Sequence, residues 1–159
     1  MNYKNWQLTP IEDDSDLKLI SDIKEYGWHA IKIYEDESGP GYVFTVGLTY
    51  SYNHPEILVM GIKPENAHAI LCSMIEEIKN KKTYKKGKIY TDLIQSYPVT
   101  FIKVNKEYYK EFLGYDRWFY RSDKFDVLQM IWTDKNSKFP WDKDFDQKFN
   151  NYQKILGKR

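Results

Sequence analysis

The sequence is poor in several features on which common functional sites depend. Only one of its 159 residues is cysteine, Cys72, so no internal disulfide can form and a cytoplasmic, reducing compartment is expected. No signal-peptide core follows Met1, and no apolar run approaches the length of a membrane-spanning helix. We therefore expect no membrane partner.

Neither sign of charge is in excess. The 24 Lys and Arg residues face 23 Asp and Glu residues, a net charge of +1. A broad electrostatic surface for nucleic acid is therefore not expected. The basic stretch 81–86 is interpreted as a solvated loop, with a phosphate-binding strip as the alternative.

Motifs of the common enzyme classes are also missing. There is no phosphate-binding glycine loop, no Gly-x-Ser-x-Gly turn, no His-Glu-x-x-His helix and no Cys-x-x-Cys pair. His68 and Cys72 could share a helix face, but two ligands do not make a metal site. We predict no metal and no particular cofactor.

Apolar residues (42%) and aromatic residues (17%) are plentiful enough for one core. We predict an N-terminal lead-in (1–14), a single α+β domain (15–146) and a polar, frayed tail (147–159). The expected fold is a mostly antiparallel sheet of about five strands. A main amphipathic helix, Pro64–Lys79, covers one face and shorter helices flank it.

Periodicity and turn residues give the expected elements. Ser15 is the predicted N-cap of a first helix that ends at Gly27. Alternating or continuous apolar runs predict strands at 28–34, 42–49, 57–62, 99–104 and 127–132. A further helix is expected at 106–113.

Two groups of residues are candidates for chemistry. His54 and Glu56 flank Pro55 at a strand mouth and could act as a catalytic acid–base pair, although a His-Pro-Glu turn can be purely structural. Arg117 stands among aromatic residues, which suits stacking on a planar ligand or clamping a phosphate or carboxylate; the alternative is an arginine whose stem covers a hydrophobic surface. Gln129 is polar inside an apolar strand and points either to solvent or to a buried partner.

The order of motifs along the chain resembles a bacterial family known only as domain of unknown function 4262, from about Ile23 to Phe145. The motifs include Phe44-Thr45-Val46-Gly47-Leu48-Thr49, His54-Pro55-Glu56 and Leu128-Gln129-Met130-Ile131-Trp132. The resemblance implies no activity. It singles out several polar and aromatic positions: His29, Thr45, Gly47, His54, Glu56, Arg117, Tyr120, Gln129, Trp132 and Asp134.

Three functions are carried forward. The leading hypothesis is the binding of a small, nucleotide-like molecule by Thr45, His29, Arg117 and Gln129, with aromatic walls from Trp118, Tyr120 and Trp132. A hydrolase using His54 and Glu56 is the first alternative, and an immunity or regulatory interaction module is the second. The hairpin around Thr45 is also similar to that of flavin-reductase split barrels, which would imply flavin.

Overall fold

An open, seven-stranded mixed sheet organises residues 10–159, the part of the chain that the computed structural model describes. The sheet order is β1-β2-β3-β6-β5-β4, with β7 paired to β5. Its strands are β1 His29–Ile33, β2 Tyr42–Val46, β3 Glu56–Met60, β4 Tyr90–Ile94, β5 Tyr97–Val104, β6 Val127–Trp132 and β7 Gly157–Lys158. The helices are α1 Asp14–Tyr26, α2 Leu48–Tyr52, α3 Pro64–Lys79, α4 Tyr109–Phe112 and α5 Gly114–Tyr120, with 3-10 turns at Lys106–Tyr108 and Gln147–Phe149.

The α+β prediction is confirmed, with two more strands than the five expected. Every strand pairing is antiparallel except that of β3 with β6. The two extra strands are β4, whose apolar pattern is weak, and the two-residue β7. The carboxyl ends of β3 and β6 consequently lie side by side, an arrangement that often makes a ligand crevice in sheets of this kind.

Helices cover both faces of the sheet. Helix α3 buries its apolar stripe against one face, where it meets residues such as Val59 and Met130. Helices α1, α4 and α5 pack on the opposite face around Leu58 and Phe119. Within residues 10–159, no helix is both long enough and apolar enough to cross a membrane.

Two predicted boundaries are wrong near the first helix and the second strand. Asp13, not Ser15, caps α1, because its carboxylate accepts the Asp16 N–H. The strand predicted at 42–49 ends at Val46, because Gly47 has a φ of 108° and turns the chain into α2. A side chain at Gly47 would also press on Ile23, at about 3.1 Å from its Cγ1.

The last residues are not the frayed tail that their polar composition predicts. Gln129 holds this segment: its amide donates to Lys154 O at 2.7 Å and accepts from Leu156 N at 2.9 Å. Gln153 is buried and bonds both the N–H and the carbonyl of Trp132. The segment therefore packs along the sheet and forms part of a surface cleft described below.

Candidate functional site

A buried carboxylate lies at the start of β3. Glu56 is fully buried, and it accepts hydrogen bonds from the Thr45 hydroxyl at 2.6 Å, from Gly47 N at 3.0 Å and from Thr49 N at 3.2 Å. The Tyr120 hydroxyl donates to the same carboxylate. Three predicted site residues, Thr45, Glu56 and Tyr120, therefore meet. Their mutual contacts tie β2, β3 and α5 together inside the protein.

A second carboxyl group lies within electrostatic range of Glu56. Asp116 on α5 is fully buried, and neither of its carboxyl oxygens has a hydrogen-bond partner among residues 10–159. Burial first, and the charge of Glu56 second, raise the pKa of Asp116 well above its usual range. Burial also raises the pKa of Glu56 to about 7, although its hydrogen-bond donors oppose that rise. Asp116 thus lacks the hydrogen-bond donors that stabilise the charged form of Glu56.

His54 is bound by backbone groups on both sides of its ring. Its Nδ1 lies 2.7 Å from Pro55 O, and its Nε2 accepts the Tyr84 N–H at 3.0 Å. Because Nδ1 faces a carbonyl oxygen and Nε2 faces an N–H group, the ring is the neutral tautomer that carries its proton on Nδ1. Burial lowers the pKa of His54 and outweighs the hydrogen bond to the Pro55 carbonyl, which acts to raise it. The hydrogen bonds of His54 and Glu56 thus go to different partners.

The remaining predicted ligand-binding residues are distributed over the molecule. Arg117 binds the Asp123 carboxylate at 2.7 Å on the surface, and Trp118 lines a groove beside Tyr42 and Phe112. Gln129 holds the C-terminal segment instead of facing a ligand. The predicted set does not form one pocket.

Trp132 does line a pocket, at the carboxyl ends of β3 and β6. This aromatic cleft has a volume of about 470 Å³, within the usual range for small-molecule sites. Its walls are mostly apolar or aromatic and come from the ends of four strands and the C-terminal segment: Gly61, Ile62, Ile94, Tyr97, Trp132, Thr133, Lys148, Phe149 and Tyr152.

The walls of the aromatic cleft are held by specific contacts. The Trp132 indole N–H donates to Met60 O at 2.7 Å, and its ring meets Phe149 edge to face at 5.9 Å. Gly61 has a φ of 81°, and a Cβ there would lie 2.2 Å from Tyr152 O and 3.0 Å from the Trp132 ring. The glycine thus allows the C-terminal segment to approach the sheet.

His29 lies in a different cleft, at the junction of α1 and β1. Its Nδ1 is 2.7 Å from Asp22 Oδ2, and Lys18 binds both oxygens of that carboxylate. Burial acts to raise the pKa of Asp22, but hydrogen bonds from Lys18 and His29 outweigh it and lower the pKa. The cleft measures about 320 Å³ and is also lined by His68, whose ring stacks on Trp28. No three potential metal ligands converge anywhere in residues 10–159.

A family described as Domain of unknown function (DUF4262) matches residues 22–146. The chain belongs to the DUF4262 family. No curated protein and no solved structure matches the chain.

The DUF4262 match contains the buried carboxylates and most of the aromatic cleft, whereas Lys148, Phe149 and Tyr152 lie beyond its last residue. Sequence reasoning overlooked these three because their segment looked like a polar tail. It also overlooked Asp116, whose burial no local pattern reveals. The sequence signal that pointed to the aromatic cleft was Trp132, with Thr133 directly after it, at the end of a predicted strand.

Proposed function

We propose that this DUF4262 protein binds a small molecule with a planar ring in the aromatic cleft. The observation that supports this most is a 470 Å³ cleft with four aromatic side chains beside the ends of the parallel strands. Flat rings gain from stacking and edge-to-face contacts with such walls. This ligand class includes the nucleotide-like molecules expected from the sequence, while the proposed binding site differs from the predicted one.

The cleft has the composition of a recognition site rather than of a gap in the core. Trp132 is fixed by its indole hydrogen bond and by Gln153, so its ring offers a preorganised surface. Tyr152, which also lines the cleft, is 47% exposed and can contact a ligand directly. The fixed ring of Trp132 and the accessible ring of Tyr152 therefore favour ligand binding with little rearrangement of the protein.

Native mass spectrometry of freshly purified protein tests this function. We expect a bound molecule with a conjugated ring, identified after denaturation, or capture of one from a mixture of nucleosides and flavins. Tyr152→Ala should lose it, whereas Tyr34→Ala, which removes an exposed tyrosine outside the cleft, should retain it. Binding that survives Tyr152→Ala but not Trp118→Ala would contradict the cleft and favour the groove near Trp118.

A second candidate function is acid–base chemistry, because Asp22 orients His29 through Nδ1 and leaves Nε2 without a hydrogen-bond partner in the described chain. Carboxylate-oriented imidazoles of this kind serve as general bases. The test is turnover of a panel of nitrophenyl esters by wild type, His29→Ala and His54→Ala. Loss of turnover only in His29→Ala supports the Asp22–His29 pair, and loss of turnover only in His54→Ala supports the His54–Glu56 pair. A wild type that does not hydrolyse these esters contradicts ester hydrolysis by either pair.

A further inference from the structure

We infer that the aromatic cleft selects ring compounds that carry an anionic group, phosphate or carboxylate, and that Lys148 recognises that group. This inference rests on the proposed function and adds the chemical class of the ligand. Among the described residues that line the cleft, Lys148 is the only lysine, arginine, aspartate or glutamate. Its ammonium group is therefore the one formal charge that these lining residues contribute.

The position of the ammonium group suits a substituent on a stacked ring. Lys148 Nζ lies 5.1 Å from the centroid of the Phe149 ring, so the charge stands beside an aromatic wall. A ligand ring held by Trp132 and Phe149 would carry its substituent toward this charge. An ammonium ion binds phosphate and carboxylate oxygens as a compact point charge.

The existing partner of Lys148 leaves the ammonium group available. Its Nζ is 3.2 Å from Asp146 Oδ2, and both side chains are largely exposed, at 60% and 42%. Exposed ion pairs of this kind are weak, so a ligand anion can share or replace the contact. The Asp146 carboxylate is also engaged through Oδ1 by the Lys148 N–H and does not line the cleft.

The backbone holds Lys148 at the cleft. Residues Gln147–Phe149 form a 3-10 turn capped by Asp146, and the Asp146 N–H binds the buried Asp134 carboxylate at 2.8 Å. Asp134 also accepts the N–H groups of Asn136 and Lys138 and so fixes the preceding loop. The lysine stem therefore starts from a defined position, and its side chain is 60% exposed at the cleft.

Matched ligand pairs separate the contribution of the ring from that of the charge. FMN and riboflavin differ by a phosphate, as do AMP and adenosine, and indole-3-carboxylate and indole differ by a carboxylate. Dissociation constants are measured by fluorescence or NMR titration for wild type, Lys148→Gln and the exposed control Lys135→Gln, at low and moderate salt.

We expect the anionic member of at least one pair to bind wild type about fivefold more tightly than its neutral partner, with a smaller gain in higher salt. Lys148→Gln should remove the gain, and Lys135→Gln should keep it. A gain for phosphates alone identifies a phosphate ligand, and a gain for carboxylates alone identifies a carboxylate.

Three results would overturn the inference in different ways. Equal binding of neutral and anionic rings, abolished by Tyr152→Ala, removes the anion preference and leaves the proposed function standing. Failure of every ring compound to bind removes both. A gain that persists in Lys148→Gln shows that another cation recognises the anion.

Discussion

Replacing Asp116 by asparagine should change how stability depends on pH. Asp116 is fully buried without a hydrogen-bond partner in the described chain, so the folded protein keeps this carboxyl protonated. In the unfolded chain the same group ionises near its ordinary pKa of 3.8. Because folding raises the pKa of Asp116, this carboxyl does not lower the stability of the protein at a pH below 3.8. Above that pH, the loss of stability grows as pH rises toward the folded pKa.

The size of the effect follows from linkage. Each pH unit between the two pKa values lowers the free energy of unfolding by about 1.4 kcal/mol. For every pH unit over which only the folded protein keeps Asp116 protonated, wild type loses about 1.4 kcal/mol of stability relative to Asp116→Asn. Glu56 adds a similar slope up to its pKa of about 7, but it does so in both proteins and largely cancels in the difference.

Urea unfolding of both proteins at half-unit steps of pH gives the required free energies. The exposed residue Asp144 supplies a control, because Asp144→Asn removes a carboxyl that is open to solvent. Its curve should run parallel to that of wild type. A curve for Asp116→Asn that is also parallel to wild type would refute the reasoning, since Asp116 would then ionise equally in both states.

Further substitutions test other contacts of the fold. Gly61→Ala should destabilise the protein by several kcal/mol more than Gly87→Ala, because both glycines have positive φ but only a Cβ at Gly61 would clash with backbone. Urea unfolding measures the difference, and equal losses of stability would contradict the close approach of the C-terminal segment to Gly61. Tyr120→Phe should cost about 2 kcal/mol in the same assay through the lost bond to buried Glu56, and a neutral result would contradict that bond. Gln129→Met should leave two backbone groups of the C-terminal segment without their hydrogen bonds, and the Leu156 amide should then exchange its hydrogen with solvent faster. An unchanged rate of hydrogen exchange would mean that other contacts hold the segment.

The fold was largely predictable because its strongest elements have clear local patterns. Helix α3 follows from its apolar stripe with Pro64 at the start, strand β3 from a continuous apolar run, and strand β6 from an apolar run interrupted only by Gln129. The short α2 was missed because Leu48 and Thr49 continue the β pattern of the preceding strand. Only the left-handed backbone at Gly47 ends that strand.

The candidate site was less predictable because tertiary contacts decide it. Glu56 was chosen as a catalytic carboxylate, Thr45 as a ligand-binding residue and Tyr120 as an aromatic wall, and they do meet, but as a buried hydrogen-bonded cluster. Trp132 was chosen as an aromatic wall and does line a cleft. Its opposite wall comes from a segment whose polar composition hides Phe149 and Tyr152, so sequence patterns could not pair the two walls.

The most direct measurement of ligand binding is a ¹H–¹⁵N NMR titration of the protein with FMN, riboflavin, AMP and adenosine. The indole N–H of Trp132, bonded to Met60 O at one wall of the cleft, is the reporter, and Trp132→Phe assigns its signal. We expect this signal and the amides of Gly61 and Tyr152 to shift together and to saturate with at least one ring compound. Shifts confined to residues around Trp118 or His29, or no saturable shift at all, would contradict binding in the aromatic cleft.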